Sequence, residues 1–356
     1  MEEKLTLLNE QLEYARKNSA FYSYLPSSPL HSLEELKGIL TISAKDIIEN
    51  GQSMICCSAG QIQRIVSMYT SGTTAQAKRI AFTQSDLWNT IAFFHHGMNT
   101  LCNTGDTVMI FMPGNAPDGL CDLLSRGLQC FNTEPKVYGI IQDYDDAANV
   151  CEKNADVFVG IPVQMRRLAL LHPELKPRRV LLSADYCAPA VIHTIARKWC
   201  CEVYVHYGLT ESGLGCAVET PARIGMIPRS DVILETLPDG EIVLTTLKRE
   251  AMPLIRYRTG DLGELTSNGI LIRVSGRKQE KDKPVSIMAL DNVLLSCDTI
   301  LDYSASFDGT QLLLYLVGDV ECAHYLLCES FENLIFRIEK VINLPFTGKR
   351  YVISKY

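Results

Sequence analysis

Most features that mark a membrane, secreted or nucleic-acid-binding protein are missing from this chain of 356 residues. It has no run of roughly 18 apolar residues that would cross a bilayer, and its first residues are charged rather than apolar. It has no Lys/Arg-rich run to neutralise a phosphate backbone, and 41 acidic residues outnumber 34 basic ones. We therefore predict no signal peptide, no membrane span and no nucleic-acid partner.

The thirteen cysteines lack the spacings of common metal sites, since neither C-x-x-C nor H-x-x-x-H occurs. Their number is odd, and the adjacent pairs Cys56-Cys57 and Cys200-Cys201 cannot easily bridge to themselves. We therefore predict reduced thiols and a cytoplasmic protein, and we assign no metal-ligand cluster.

Hydrophobic residues make up 47% of the chain, which is ample for a buried core, and the length indicates two or more domains. Short β-rich runs alternate with helical patterns through the middle of the chain. The runs are residues 107–111, 156–160, 179–182 and 202–206, with a helical pattern at 190–199 between the last two. Such alternation predicts an α/β fold of parallel strands joined by crossover helices, with binding loops at the strand ends.

The pattern changes after Pro228. Two β-rich segments, residues 232–237 and 241–246, flank the turn Pro238-Asp239-Gly240. This arrangement predicts a β subdomain.

The most charged stretch, residues 275–283, is interpreted as an exposed linker. We place the domain boundary within it, with a large domain at 1–276 and a small one at 277–356. The small domain is predicted to be α/β. Its predicted elements are strands at 299–306 and 311–317, a helix at about 321–342 and a last strand near 351–354.

A loop rich in hydroxyl groups follows an apolar strand and ends in the cation Lys78. Hydroxyls and backbone N–H groups in such a turn can wrap phosphate oxygens, and a lysine supplies a point charge. It is not a Walker loop, because Ala77 precedes Lys78 and Arg79 follows it. An ordinary Ser/Thr/Gly turn is the alternative interpretation.

Two further turns carry groups suited to a nucleotide. After the strand at 202–206, Tyr207 offers a ring face for a base and Glu211 offers oxygens for Mg²⁺. The alternative is a strand-to-helix turn capped by Thr210. Farther on, Asp261 follows a glycine and can accept from two ribose hydroxyls, although an Asp in a β-turn is the alternative.

Together, in this order and spacing, these stretches resemble the adenylate-forming superfamily of acyl-CoA synthetases and related ligases. They look most like its phenylacetate-CoA ligase branch. The resemblance covers nearly the whole chain, which is shorter than typical members mainly in its C-terminal part. It implies a large N-terminal domain with parallel α/β sheets and a β subdomain, followed by a small mobile α/β domain.

The resemblance also implies roles for individual residues. Tyr207 would stack on the base, Thr210 would touch the α-phosphate, Glu211 would hold Mg²⁺ and Asp261 would bind ribose. The residues implied for the ATP phosphates are Thr70, Ser71, Gly72, Thr73, Thr74 and Lys78. Those implied for the adenine pocket are Ser183, Ala184 and Asp185.

Near the C-terminus, the run from Pro345 to Lys349 resembles the loop that delivers the superfamily's catalytic lysine. Lys349 is our candidate and Lys355 the reserve. Arg277 matches the hinge arginine, so a hinge there would let the small domain bring Lys349 in for adenylation and swing away for transfer.

The implied activity is activation of a carboxylic acid with ATP and Mg²⁺, an aromatic acid being one candidate, followed by acyl transfer to a thiol, CoA. Two departures stand out: Ala75 and Ala77 occupy positions where the superfamily has Gly and Pro, and the acceptor loop expected after Gln279 is not recognisable. Transfer to a protein thiol or an amine is therefore an alternative. So is a catalytically impaired homologue acting as a regulator.

Overall fold

A computed structural model of the protein describes residues 2–69, 77–151, 155–281, 283–345, 350 and 352–354. The chain forms two compact units, each assembled from two separate stretches. The first unit combines Met1–Met98 with Tyr207–Val274, and the second combines Asn99–His206 with Ser275–Tyr356.

The described residues contain helices and strands in nearly equal measure. The α-helices are α1 Glu2–Asn18, α2 Ala44–Asn50, α3 Gln84–Asn99, α4 Leu120–Gln129, α5 Tyr144–Cys151, α6 Pro162–Leu171, α7 Pro189–Trp199, α8 Ile287–Leu294 and α9 Val320–Ser330. The 3-10 helices are Ala20–Tyr24, Leu33–Gly38, Ala59–Gln61 and Lys278–Glu280. The strands are β1 Ile62–Tyr69, β2 Ala77–Thr83, β3 Thr107–Phe111, β4 Glu134–Val137, β5 Val157–Gly160, β6 Arg179–Leu182, β7 Glu202–Tyr207, β8 Ala217–Glu219, β9 Met226–Pro228, β10 Val232–Thr236, β11 Glu241–Thr246, β12 Tyr257–Leu265, β13 Leu271–Arg277, β14 Ile300–Phe307, β15 Leu312–Gly318, β16 Phe336–Lys340 and β17 Ile353–Ser354.

The first unit is built around β structure. Strands β1 and β2 form an antiparallel pair, and six further strands lie in the order β10-β11-β12-β13-β9-β8. The turn between β10 and β11 contains Gly240, whose φ of +83° is a conformation that glycine adopts without a steric penalty. The predicted β subdomain is therefore confirmed, although its first strand, β8, begins before Pro228.

The second unit contains the parallel sheet that the sequence predicts. Its strands lie in the order β4-β3-β5-β6-β7, and all four neighbouring pairs are parallel. Strands β3 and β5 are buried along their whole length, as expected of a parallel sheet covered on both faces. Helices α4 to α7 lie between these strands in sequence, as crossover connections require.

The C-terminal stretch of this unit adds a four-stranded sheet in the order β16-β15-β14-β17. The antiparallel hairpin of β14 and β15 is confirmed, with Gly309 at φ +96° in its turn. The helix predicted at 321–342 is wrong in its second half. Helix α9 ends at Ser330, Asn333 adopts a φ of +65°, and the following residues form β16, paired in parallel with β15. Pairing with a strand distant in sequence overrode the local helical pattern.

The charged stretch at 275–283 is only partly the exposed linker that we predict. Strand β13 continues to Arg277, and a 3-10 helix follows. Glu280 is buried, and its Oε1 accepts the backbone N–H groups of Ile287 at 3.2 Å and Val352 at 2.9 Å. The carboxylate of Glu280 therefore accepts hydrogen bonds inside the second unit rather than facing solvent.

The predicted domain boundary lies close to Ser275, where the chain passes from the first unit to the second. Residues 277–356, predicted as a separate small domain, share a compact unit with 99–206. The prediction that residues 277–356 form a small domain that moves independently stays a prediction. No helix among the described residues has the length and apolar character needed to cross a membrane.

Candidate active site

Three side chains of the first unit form a buried polar cluster around Glu211. Lys78, on β2, makes an ion pair with Glu211 Oε1 and donates to the Tyr257 hydroxyl at 3.2 Å. The Tyr257 hydroxyl donates to the same carboxylate oxygen at 2.9 Å. The side chains of Lys78 and Glu211 are 12% and 9% exposed, so this pair is largely removed from water. Removing one partner would leave a buried charge without compensation.

The cluster keeps Glu211 ionised. Burial by itself would raise the pKa of this carboxyl, but the charge of Lys78 and hydrogen bonds from Lys78, the backbone and Tyr257 hold the pKa below its ordinary value. Burial and the neighbouring carboxylate raise the pKa of Tyr257, which therefore stays a neutral donor at neutral pH. The result is a carboxylate with both neighbouring donors on one oxygen.

This lowered pKa makes stability dependent on pH. The unfolded chain binds a proton at Glu211 near the ordinary value, about pH 4.3, while the folded protein binds it only at lower pH. The stabilisation by the Lys78 pair is therefore fully present above about pH 5 and is lost as the pH falls through the folded-state pKa. Urea unfolding of wild type and Glu211→Gln across this range should give a stability difference that shrinks toward acid pH. A difference that grows toward acid pH would contradict the assignment.

The residues present fit a magnesium ion that is shared with a substrate. No group of three or more His, Cys, Asp or Glu side chains in the described part of the chain could hold a metal ion by itself. Mg²⁺ is commonly held by one or two carboxylates together with waters and substrate phosphates. Glu211, ionised and hydrogen-bonded through Oε1, is a carboxylate that would suit such a site.

The main chain of Glu211 is fixed by Arg249, which sequence reasoning missed. The Arg249 Nη2 group donates to the Glu211 carbonyl at 2.8 Å, and the guanidinium lies 4.2 Å from the centre of the Phe82 ring. Gln11, on α1, accepts the Arg249 N–H at 2.6 Å and donates to its carbonyl at 3.0 Å. The charged side chain of Arg249 therefore holds the main chain of the residue that carries the carboxylate.

Asp86 ties the start of α3 to the segment that carries Arg249. It forms a capping box with Thr83, accepting the Thr83 N–H at 2.9 Å while its own N–H donates to the Thr83 hydroxyl at 3.2 Å. Its carboxylate also accepts the N–H groups of Glu250 at 2.8 Å and Ala251 at 3.0 Å. Asp86 is fully buried. Its carboxylate is therefore the hydrogen-bond acceptor for three backbone N–H groups in the interior of the protein.

We expect Asp86→Ala to lower the free energy of unfolding by roughly 3–5 kcal/mol, because it leaves three buried N–H groups without acceptors. Asp46 is a matched control, since it occupies the same position in the capping box of α2 but is only half-buried. Asp46→Ala should cost about 1 kcal/mol. Chemical denaturation measures both values, and equal losses would show that Asp86 acts only as a helix cap.

A second pair in the first unit joins two of the predicted nucleotide-binding residues. The Tyr207 hydroxyl donates to Asp261 Oδ2 at 3.0 Å, and both residues are buried. Asp261 lies in an irregular part of β12, where residues 259–261 lie opposite Ile242 alone, rather than in the β-turn of our alternative interpretation. Gly260 allows this bulge with a φ of +77°. Bulges often redirect side chains beside active sites.

Thr210 begins a turn that also contains Glu211. Thr210 accepts the Gly213 N–H through its backbone carbonyl at 3.1 Å, and the next element along the chain is the strand β8 rather than a helix. The alternative of a helix-capping threonine at this position is therefore wrong. Thr210 is half-buried, one residue before Glu211.

In the second unit, the residues predicted for the adenine pocket follow β6. Ser183 Oγ and His206 Nδ1 share a hydrogen bond of 2.7 Å. Ala184 has a φ of +72°, a left-handed conformation that is strained for a residue with a Cβ. Asp185 binds Arg350 through the Arg350 Nε group at 2.8 Å. Arg277, predicted for the hinge, is the last residue of β13.

The remaining predicted site residues lie outside the described part of the chain. These are Thr70, Ser71, Gly72, Thr73 and Thr74 of the hydroxyl-rich loop, together with Lys349 and Lys355 near the C-terminus. Their roles stay predictions. The structure thus brings together Lys78 with Glu211 and Tyr207 with Asp261 in the first unit, and it places the Ser183 loop and Arg277 in the second.

Comparisons with known proteins agree with this fold and these motifs. The family model of the AMP-binding enzymes matches residues 61–236, a range that contains Lys78, the Ser183 loop and Glu211. No curated protein matches this sequence. The family model therefore assigns residues 61–236 to the AMP-binding enzymes, and the chain has the fold of the adenylate-forming ligases.

Solved structures share the fold at low sequence identity. A 2-hydroxyisobutyryl-CoA ligase in the postadenylation state, in complex with 2-HIB-AMP, is 16% identical over 99% of this chain and 88% of that chain, with a TM-score of 0.80. A benzoate CoA ligase from Burkholderia xenovorans is 17% identical over 77% of this chain and 65% of its own, with a TM-score of 0.57. The amide bond synthetase McbA from Marinactinospora thermotolerans is 17% identical over 82% and 68%, with a TM-score of 0.57.

Proposed function

We propose that the protein is an ATP-dependent ligase that activates a carboxylic acid as an acyl-adenylate, releases pyrophosphate and then transfers the acyl group to CoA. The observation that carries the proposal is the buried cluster of Lys78, Glu211 and Tyr257, which holds an ionised carboxylate beside a lysine. Lys78 directly follows the hydroxyl-rich loop in sequence. The match of residues 61–236 to the AMP-binding enzymes, the shared fold and the acyl-adenylate bound by a structural relative support this proposal.

In the first half-reaction, a carboxylate oxygen of the acid attacks the α-phosphorus of ATP, and the bond from phosphorus to the bridging oxygen of pyrophosphate breaks. No protein nucleophile takes part. Glu211 would hold the Mg²⁺, which would supply charge neutralisation at the phosphate oxygens. Lys78 and Lys349 supply positive charge to the same oxygens, where stabilisation of the transition state is worth most.

The ion pair between Lys78 and Glu211 suggests how the site receives Mg·ATP. Before substrate binds, each charge compensates the other in a poorly hydrated position. With Mg·ATP in the site, Glu211 would hold the metal in place of its lysine partner, and Lys78 would pair with a phosphate oxygen in place of the carboxylate. The exchange leaves no buried charge unpaired, so it avoids the main penalty of opening a buried ion pair.

The chemical class of the acid remains part of the proposal. Our sequence comparison favours a phenylacetate-like aromatic acid, whereas the structural relatives are named for 2-hydroxyisobutyrate and benzoate. CoA is the acceptor that we propose, since two of these relatives are CoA ligases. An amine acceptor is the second candidate, supported by the likeness to an amide bond synthetase. The prediction of a cytoplasmic enzyme rests on the cysteine content alone.

ATP–pyrophosphate exchange with a panel of aryl and aliphatic acids tests the proposed function. We expect exchange that depends on both a carboxylic acid and Mg²⁺, followed by AMP release when CoA is added. AMP release with amines but not with CoA would assign the second candidate acceptor. Absence of exchange with every acid, in a protein that still binds ATP, would support the impaired homologue and overturn the proposal.

Asp261→Ala should weaken ATP binding by roughly 10- to 150-fold, because removing a carboxylate that accepts from ribose hydroxyls forfeits about 1.5–3 kcal/mol. Isothermal titration calorimetry measures the change. Glu264→Ala is the control, since Glu264 lies on the same strand and makes an exposed ion pair with Arg273. Unchanged ATP affinity in Asp261→Ala would assign Asp261 to its bond with Tyr207 alone.

A further inference from the structure

Two thiols of the second unit are in contact with each other. Cys297 follows α8, and Cys322 lies in the first turn of α9. The Cys322 thiol donates to the Cys297 sulfur, with an Sγ–Sγ distance of 2.7 Å. A disulfide bond is about 2.05 Å long, so the two sulfur atoms need to approach by only about 0.7 Å to form one. The contact therefore favours a bond between these two sulfurs.

The hairpin of β14 and β15 brings these two cysteines together. Ile300 on β14 lies opposite Gly318 on β15, so the residues before Ile300 and those after Gly318 meet at the same end of the hairpin. The N–H of Asp319, which caps α9, donates to the Thr299 carbonyl at 3.1 Å and joins the two segments there. The contact between cysteines 25 positions apart thus follows from the register of the two strands.

The main chain around both cysteines is held by further hydrogen bonds. Arg166, a fully buried residue of α6, donates through Nη2 to the Cys297 carbonyl at 2.8 Å and through Nη1 to the Ile300 carbonyl at 2.7 Å. The backbone N–H of Cys322 donates to Asp319 Oδ1 at 3.1 Å. Both thiols are therefore attached to main chain that is fixed within the second unit.

The two thiols differ in acidity. Burial by itself would raise the pKa of Cys297, but hydrogen bonds from Cys322, from the Thr299 hydroxyl at 3.2 Å and from the backbone of Thr299 and Ile300 hold that pKa below its ordinary value. Burial and the bond to Cys297 raise the pKa of Cys322. The thiolate is the nucleophile in thiol–disulfide exchange, so Cys297 is suited to attack and Cys322 to resolve.

Thiols elsewhere in the chain differ from this pair. Cys56 and Cys151 are buried, and burial raises the pKa of each to about 12. Cys130 and Cys328 are exposed, but Cys130 donates to a backbone carbonyl at 3.2 Å and Cys328 contacts a histidine nitrogen at 3.7 Å. Both members of the pair are half-buried, so they combine partial access from solvent with a neighbouring thiol.

We propose that Cys297 and Cys322 form a reversible redox site whose substrate is a low-molecular-weight disulfide and which closes as an internal disulfide bond. The thiolate of Cys297 attacks one sulfur of the small disulfide, whose S–S bond breaks and releases one thiolate. The thiolate of Cys322 then attacks the Cys297 sulfur, and the second small thiolate leaves. The protein gives up two electrons and two thiol protons, and the small disulfide takes them up to become two thiols.

The internal bond ties the first turn of α9 to the segment after α8. It encloses β14 and β15 in a covalent loop, and cross-linking such a loop restricts the unfolded chain. Disulfides in reducing compartments are usually transient and act in catalysis or redox sensing, so the reduced thiols predicted from the sequence are the resting state. The redox site goes beyond the proposed ligase activity, since no step at these thiols uses ATP or an acid.

The test treats the folded wild-type protein with glutathione disulfide, followed by alkylation and mass spectrometry of its peptides. We expect peptides joined through Cys297 and Cys322 to form about 10-fold faster or more than a glutathione adduct of the exposed Cys130, and dithiothreitol should reverse the bond. This peptide map distinguishes an internal bond from separate adducts without any substitution.

Single substitutions separate the two roles. In Cys322→Ser, glutathione should remain on Cys297 as a mixed disulfide, because the resolving thiol is missing. In Cys297→Ser, Cys322 should react with glutathione disulfide about 10-fold more slowly or less than Cys297 does in Cys322→Ser. Cys328→Ser is the matched control, since Cys328 is an exposed thiol on the same helix, and it should close the internal bond at the wild-type rate.

Urea unfolding shows whether the bond fits the native fold. Oxidation should raise the unfolding midpoint of the wild type and of Cys328→Ser by about 0.5–1 M, and it should leave the midpoint of Cys322→Ser unchanged. Closure only in the presence of denaturant, a link through Cys328 in the wild type, faster reaction at Cys322 than at Cys297, or a lower midpoint after oxidation would overturn the proposal. None of these outcomes depends on whether the protein forms an acyl-adenylate.

Discussion

Lys349→Ala should suppress acyl-adenylate formation by a factor on the order of 10² or more, the scale seen when one preorganised donor to a developing anion is removed. The substitution removes a cation that is needed at the α-phosphate while negative charge builds there. ATP binding should change little, because Lys78 and the hydroxyl-rich loop hold the ground state and Lys349 acts mainly in the transition state. Acid-dependent pyrophosphate exchange and calorimetry measure the two effects separately.

Acyl transfer from a supplied acyl-adenylate should survive in the same variant, since we propose that the small domain has moved away by then. Lys355→Ala is the control. If Lys355→Ala abolishes adenylation and Lys349→Ala does not, the role belongs to Lys355. If neither substitution matters, the C-terminal stretch does not serve this chemistry, and the impaired homologue gains support.

Glu211→Gln should raise the Mg²⁺ concentration needed for adenylation and lower the maximal rate by a factor on the order of 10². Glutamine keeps the shape of the side chain but removes the charged metal ligand. It also leaves the charge of Lys78 without its buried partner. A Mg²⁺ titration of the exchange reaction separates the metal requirement from the rate at saturating metal.

Glu235→Gln is the matched control, because Glu235 is also in the first unit, is 9% exposed and pairs with Arg256 at 3.2 Å. It should reduce stability without shifting the Mg²⁺ titration. An unaltered titration in Glu211→Gln would mean that Glu211 serves only to pair with Lys78. Equal shifts in both variants would mean that the loss of any buried ion pair disturbs the site.

The architecture is visible in the sequence because it depends on local patterns. The alternation of β-rich runs and helical periods predicts the parallel sheet, and the turn at Gly240 predicts the β10–β11 hairpin. Each signal lies within a window of about 20 residues, the range over which hydrophobic periodicity reports secondary structure. The likeness to the AMP-binding enzymes is visible for a similar reason, since the motifs around Lys78 and Glu211 are short and separately recognisable.

Local patterns fail where a distant partner decides the structure. Residues 336–340 carry a pattern that we interpret as the end of a helix, yet they form β16 because β15 offers an open edge. The sequence predicts that Glu280 is part of an exposed linker. In the structure it is buried, and the backbone N–H groups of Ile287 and Val352 donate to its carboxylate. Intrinsic preferences for helix and strand differ by about 1 kcal/mol or less per residue, so tertiary contacts override them.

The sequence by itself determined the fold class, the superfamily and the identity of most candidate site residues. The tertiary structure alone decided how buried charges are paired: Arg249 with the carbonyl of Glu211, Asp86 with the N–H of Glu250, and Arg350 with Asp185. The last two partnerships join residues 164 and 165 positions apart. No periodicity encodes such a pairing, because a charge can be buried only when the folded chain brings its partner to it.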